Sequence, residues 1–453
     1  MKRNTRLHVD CFCKIPTLAR LVMALILCCA LNSHSSAQNW PQFRGPNGNG
    51  VVEKLAHPLE WGKDNNVAWS VDVPGGGLSS PIIFGDKVIV TTAVGMGKPV
   101  SFMEGVRDMR PKSAEADLKF QVFCFSLNDG STLWEKTIAS KKPDHPIHAS
   151  NSFATESPAT NGESVFVYFA AIGVVCALDF DGEEIWRTEI GSYPTGNGFG
   201  TGSSLVCNDE MVFVQCDNDE KSFAIALDAA SGDEAWRQDR SGSTSWATPL
   251  LWKNDKRTEL VTCGSGFVTS YDPGTGDELW TLTNMGMSFS SSPAMDQDNI
   301  YFGNSGPRSV GPLVAINSQM NGKVAFDSNA SQPGKAWAKL QAGPGMSSPV
   351  SVGGYVYIPS RGRLACYSAS DGSEVFKERM EIGSAAASMW GGGDYVFLMD
   401  EDGKTVVMQT GPELKIVATN QLEGDLFWST PSVAGESLLI RGANKLYCIR
   451  DSQ

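Results

Sequence analysis

Apolar and polar positions alternate with a period of two along most of the chain. The runs are short and bounded by Gly, Asn and Asp, a pattern that predicts β-strands and almost no helix. IIFGDKVIVTT (82–92), SVFVYFA (164–170) and NIYFGNS (299–305) have this form. Two further elements recur around these runs. The first is a small-residue strand start, usually ending in proline. Its copies are LSSP (78–81), TESP (155–158), GSSL (202–205), WATP (246–249), SSSP (290–293), MSSP (346–349), AASM (386–389) and WSTP (428–431). The second is an apolar strand end, then an Asp, Asn or Ser turn, then a large aromatic four residues beyond the turn glycine. Its pairs are Gly130/Trp134, Gly182/Trp186, Gly232/Trp236, Gly276/Trp280, Gly322/Phe326 and Gly372/Phe376.

Repetition every 40 to 50 residues or so marks a solenoid or a propeller. Each unit supplies four strands: the small-residue start, the β-branched run, the strand ending in the turn, and the strand carrying the aromatic. Eight starts therefore predict an all-β, eight-bladed β-propeller of four-stranded antiparallel blades. Small residues suit the innermost strands, where blades crowd around the axis, and aromatics suit the interfaces between blades, where they bury a large area. The last unit stops at NKLYCIRD (444–451), a third strand with no aromatic strand after it, whereas NVAWSVDVPG (66–75) is an orphan strand carrying Trp69. Pairing the two closes the ring and removes free sheet edges. The propeller then spans 65–453, preceded by a leading segment at 38–64. Insertions interrupt it near 95–120, with Arg107, Arg110 and Lys112, and near 327–335. Helix is expected only within the first insertion.

Composition adds an export signal and removes several functions. Lys2, Arg3, Arg6, Lys14 and Arg20 precede the apolar run 21–31, and Ser35-Ser36-Ala37 offers a small-residue cleavage site, so residues 1–37 read as a signal peptide. The run is too short to cross a bilayer, which takes about 20 residues. Leu27 before Cys28 does not suit an acylated cysteine. A periplasmic or secreted protein, without a transmembrane segment and monomeric, is expected. The chain carries a net charge of −13, and losing the basic leader makes it more acidic. Such a surface repels nucleic acid. Beyond the leader lie Cys124, Cys176, Cys207, Cys216, Cys263, Cys366 and Cys448. They read as small buried hydrophobes, with one disulfide among them left open. His145 and His148, either side of Pro146, read as exposed loop residues with no companion for a metal. Asp400-Glu401-Asp402 reads as turn chemistry. No Gly-x-Ser-x-Gly, Walker or His-Glu-x-x-His motif occurs, so no catalytic residue is named.

The aromatic repeats resemble the pyrroloquinoline-quinone-type propeller repeat of quinoprotein alcohol dehydrogenases. The same repeat builds the propeller lipoprotein of the outer-membrane β-barrel assembly machine. The segment NWPQFRGPNGNG (39–50) resembles the start of exported propeller proteins of planctomycete-type bacteria. The dehydrogenase resemblance implies a quinone over a calcium ion, held by Glu and Asn side chains with a Trp floor and an adjacent-cysteine disulfide. Here the adjacent cysteines, Cys28 and Cys29, fall in the leader. The residues that resemblance would draft are Glu156, Trp246 and Asn304. Their plainer readings are a hydrated acid in the channel mouth, channel packing and a turn residue.

Three functions follow as expectations. The first is a non-enzymatic envelope scaffold or binding protein without cofactor, presenting Phe153, Phe199, Trp246, Phe289, Met346, Phe427 and Trp428 around the channel mouth to an envelope protein or a polysaccharide. The second is a quinone-dependent oxidoreductase acting on alcohols or sugars, with pyrroloquinoline quinone (PQQ) and calcium. The third is a carbohydrate-binding propeller using the same aromatics as stacking platforms.

Overall fold

The computed structural model describes Met1 and residues 39–107, 110–306, 309–328 and 331–451. The expected signal peptide therefore lies outside the described residues, Met1 excepted. Among the described residues no helix is long and apolar enough to cross a membrane. The alternating runs are strands, and they assemble into eight sheets. Blade 1 runs outward from the axis as Ile82–Phe84, Lys87–Val94, Leu118–Ser126 and Thr132–Lys141. Blades 2 to 7 repeat that order around the ring. Blade 8 takes Ser432–Ala434, Ser437–Arg441 and Lys445–Ile449 from the C-terminus and Val67–Asp72 as its outer strand, with Trp69 opposite Cys448. The ring closes through the orphan strand, as its sequence implied.

Each outer ladder carries a register shift at the matching position in all eight blades, beside an aromatic in every blade but the seventh, where Ala418 stands. A bulge there bends and twists the strand, which turns the aromatic out of its own sheet toward the next blade. The indole N–H groups of Trp69, Trp134, Trp186, Trp236 and Trp337 donate to Leu127, Phe180, Ala229, Pro273 and Ala369 carbonyls, at 2.8 to 3.0 Å. Each indole lies over the turn glycine of the following blade. A Cβ built on Gly130, Gly182, Gly232, Gly276 or Gly372 would come within 2.5 to 2.8 Å of the ring. The repeated glycine thus receives the preceding blade's aromatic, and the aromatic four residues later serves the next interface.

Blade 5 departs from the expected pattern. Phe326 is not its docking aromatic: Gly322–Ala325 leaves the blade and pairs in parallel with Glu278–Thr283 of blade 4. The chain then returns as Lys335–Lys339, whose Trp337 supplies the indole N–H that a phenylalanine lacks. Trp280 departs too, donating to the Glu259 carboxylate of its own blade at 2.6 Å. Consistently, a Cβ on Gly322 would meet nothing within 4 Å. The seven described cysteines are all free, five of them buried, and burial pushes the Cys124 thiol up to about 12.

Candidate functional site: the channel and its two mouths

The innermost strands all start with the same small-residue motif, and its penultimate position is always Ser or Thr. Those hydroxyls form a ring. The amides of Ser80, Ser157, Ser204, Thr248, Ser292, Ser348 and Ser388 donate to the hydroxyls of Ser157, Ser204, Thr248, Ser292, Ser348, Ser388 and Thr430 at 2.9 to 3.3 Å. Each bond joins one blade to the next and satisfies an amide that proline-flanked inner strands leave without a ladder partner. Crowding explains the small size of these residues. It does not explain why they are hydroxylic, and the sequence reading missed that signal.

At the seam between blades 8 and 1, Ser429 Oγ donates to Leu78 O at 2.9 Å. The fully buried Arg441 donates from Nη1 to Ser79 O at 3.0 Å and from Nη2 to Thr91 O at 2.9 Å. Its partners are carbonyls rather than a carboxylate, and burial lowers the guanidinium to about 9.

The mouth where the inner strands end is closed by the leading segment. Trp40 exchanges backbone hydrogen bonds with Ile83 of blade 1, and Pro41 O accepts from Thr160 N of blade 2 at 2.8 Å. Gly48 lies against Leu250 of blade 4. Val51–Val52 pairs in parallel with Trp390–Gly392 of blade 7. Arg44 is the centre of this crossing. It is fully buried, with Nη1 on Pro293 O at 2.7 Å, Nη2 on Asn49 O at 2.8 Å, and a further bond to Pro349 O. Burial without a carboxylate lowers Arg44 to about 9.

The opposite mouth is covered from the first insertion, which contributes the helix Phe102–Arg107. The Phe102 amide donates to Glu401 Oε2 of blade 7 at 3.0 Å. Its ring lies 6.4 Å from Trp428 and 6.5 Å from His148, which packs 4.9 Å from Phe199, itself 6.1 Å from Trp246. A continuous aromatic chain therefore runs across the mouth from blade 8 to blade 4. Asp400 and Glu401 are buried, so these acids support the insertion and the turn instead of facing solvent. His148 is buried as well, contrary to its reading as an exposed loop residue, because the insertion packs Gly105 onto its ring.

The sequence-selected residues divide accordingly. Phe199, Trp246, Met346 and Trp428 keep part of their surface at the mouth. Phe153, Phe289 and Phe427 are buried under the loops and present no contact surface, which corrects their expected role. Glu156 does not face the open channel mouth: it is fully buried, and neither carboxylate oxygen has a protein partner in hydrogen-bonding geometry. Burial raises it to about 7, against the opposing pull of Thr201 and nearby amides. Asn304 lies in the strand Asn299–Ser305 rather than a turn, and its amide donates to the carbonyls of Met285 and Met287. Trp246 donates to Gly200 O at 2.8 Å. Neither directs a donor at Glu156. Among the described residues no three His, Cys, Asp or Glu side chains gather as a metal-ligating group.

These features define an eight-bladed propeller with indole-docked blades and a channel closed by its own chain. The profile of the family described as outer membrane protein assembly factor BamB matches residues 119–378 and 313–447, and the chain belongs to that family. Outer membrane protein assembly factor BamB of Moranella endobia (strain PCIT) is 23% identical over 214 residues, covering 42% of this chain and 51% of that protein. The match thus spans about half the length of that curated relative. Among solved structures, BamB from Moraxella catarrhalis superposes with a TM-score of 0.52 at 14% identity, over 80% of this chain and 97% of that one. Quinohemoprotein alcohol dehydrogenase from Comamonas testosteroni gives a TM-score of 0.60 at 12% identity, over 93% of this chain and 82% of that one. At such identities both likenesses are likenesses of fold.

Proposed function

We propose that this chain is an exported, non-enzymatic scaffold of the cell envelope that works with other envelope proteins in outer-membrane assembly. The observation that carries the reading is the closure of both channel mouths by the chain itself. One mouth is crossed by the leading segment around Arg44, and the other lies beneath Phe102 and its aromatic neighbours. Family membership supports the same reading, since the family's description is an assembly factor.

The residues that a calcium–quinone pair would call on do not fit it. Asn304 has its amide turned onto two carbonyls, and Trp246 its indole onto Gly200. Glu156 is fully buried, with no carboxylate oxygen turned to an open space where an ion could sit. The scaffold's work then falls to its outer surface and to the half-exposed rim of Phe199, Trp246, Met346 and Trp428.

Deleting the gene and measuring folded outer-membrane β-barrel proteins tests the proposal. Their levels should fall and recover when the intact chain is restored. Unchanged levels in the deletion strain would remove the assembly role.

A further inference from the structure

The outer strands of blades 2 and 3 share a Glu–Arg pair that blade 4 lacks, and a groove lies beside blade 4. In blade 2 the outer strand reads Glu184, Trp186, Arg187. Arg187 grips Glu184 at 2.6 and 3.0 Å and reaches across to Ile138 O of blade 1 at 2.7 Å, filling the cleft between the two blades. Blade 3 repeats the arrangement with Glu234, Trp236 and Arg237, the guanidinium bonded to Glu234 at 2.9 and 3.0 Å and lying 4.2 Å over Phe223. Blade 4 reads Glu278, Trp280, Thr281. The short Thr281 replaces the arginine, so the cleft between blades 3 and 4 stays open and the Glu278 carboxylate lines it.

The resulting groove has a volume of about 660 Å³, within the range of small-ligand sites. Its floor includes Thr269 and Thr281, buried hydroxyls 3.0 Å apart that hydrogen-bond to each other. Phe267 lines the groove, Asp239 and Glu278 add carboxylates, and Lys323 adds an ammonium. Lys323 is brought there by the strand Gly322–Ala325, which leaves blade 5 to extend blade 4 in parallel. The irregular step in the repeat therefore supplies part of the groove. The guanidinium of Arg240 at the groove is already neutralised by Asp217, at 2.7 and 3.1 Å.

We infer that this groove between blades 3 and 4 binds a short neutral oligosaccharide. Carboxylate groups accept from sugar hydroxyls, Lys323 donates to them, and Phe267 and Tyr271 add aromatic surface. A purely apolar ligand would strand the Asp239, Glu278 and Lys323 charges at a cost of about 1–3 kcal/mol each. An anion would face two carboxylates against one free ammonium. A cationic peptide would meet Lys323. The site is separate from the channel mouths and does not depend on the assembly role.

Chitotriose and maltotriose serve as probes against the full chain, read by saturation-transfer NMR and calorimetry. At least one should bind. Thr281→Arg restores the side chain that closes the cleft in blade 2, with Glu278 as its partner. It should raise Kd at least tenfold, with circular dichroism confirming that the variant is folded. Glu278→Gln, which adds no bulk, should weaken binding several-fold and keeps the test valid if Thr281→Arg folds poorly. Binding by neither sugar, binding of triarginine in their place, or wild-type affinity in Thr281→Arg would overturn the inference.

Discussion

Trp69 donates its indole N–H to the carbonyl of Leu127, 3.0 Å away across the seam that joins the two ends of the chain. This is the same bond that Trp134 makes to Phe180 between blades 1 and 2. The seam is therefore held by an ordinary inter-blade contact, although one partner comes from the N-terminal side of the propeller and the ring is otherwise closed by the C-terminus. Trp69→Phe should cost about 1 kcal/mol through the lost hydrogen bond, and Trp69→Ala about 3 kcal/mol through lost burial. Urea denaturation measures both. Equal stability for all three proteins would mean that the seam bears no load.

The turn glycines offer an internal control on docking. Gly182 has φ +87°, and a Cβ there would sit 2.8 Å from the Trp134 ring, whereas Gly322 has φ +64° and open space around it. Both alanine variants carry the left-handed backbone penalty of about 1 kcal/mol. Only Gly182→Ala must also displace a docked indole, so it should be destabilised by about 2 kcal/mol more than Gly322→Ala. Thermal unfolding of the pair checks the difference.

Much of this architecture was legible in the chain. Period-two runs and eight strand starts gave the blades, and the unpaired Trp69 strand located the closure. The roles inside the motifs were less legible. Gly182 and Trp186 are close in sequence but serve different interfaces, a distinction that requires knowing which way the outer strand twists. Phe326 fitted the spacing, yet Trp337 docks, because a longer excursion can reset the register and only the indole has an N–H to give. Phe153, Phe289 and Phe427 looked like rim residues because their burial depends on loops folding back from elsewhere. Arg44 and the fully buried Arg441 were not singled out at all, since carbonyl partners leave no pattern of paired charges in a sequence.

Glu156 gives the protein a pH dependence. Its carboxyl is raised from 4.5 to about 7 by burial. The folded state therefore holds a proton that the unfolded state releases between those values. Stability from this group is fully present below pH 4.5 and declines as pH rises toward 7, by about 3 kcal/mol in all. Glu156→Gln should be more stable than wild type at pH 8 and nearly equal to it at pH 4. Denaturation at the two pH values checks this, and a gap of the same size at both would contradict it.

Arg44 should act as a fastener for the leading segment. Replacing it by Ala removes its bonds to Pro293, Asn49 and Pro349 carbonyls and leaves those buried acceptors unmatched, a loss of about 2–4 kcal/mol. The Thr160 amide, bonded to Pro41 O, is a reporter for the segment's seating. Its hydrogen exchange should quicken in Arg44→Ala more than that of the Ser204 amide in the hydroxyl ring.

We propose that the channel, closed at both mouths by the protein's own chain, holds no redox centre. Titrating the purified protein with PQQ and calcium, while following absorbance and dye-linked oxidation of ethanol and glucose, tests it most directly. No stoichiometric spectral change and no turnover are expected. A quinone bound one to one, with calcium-dependent oxidation, would contradict it.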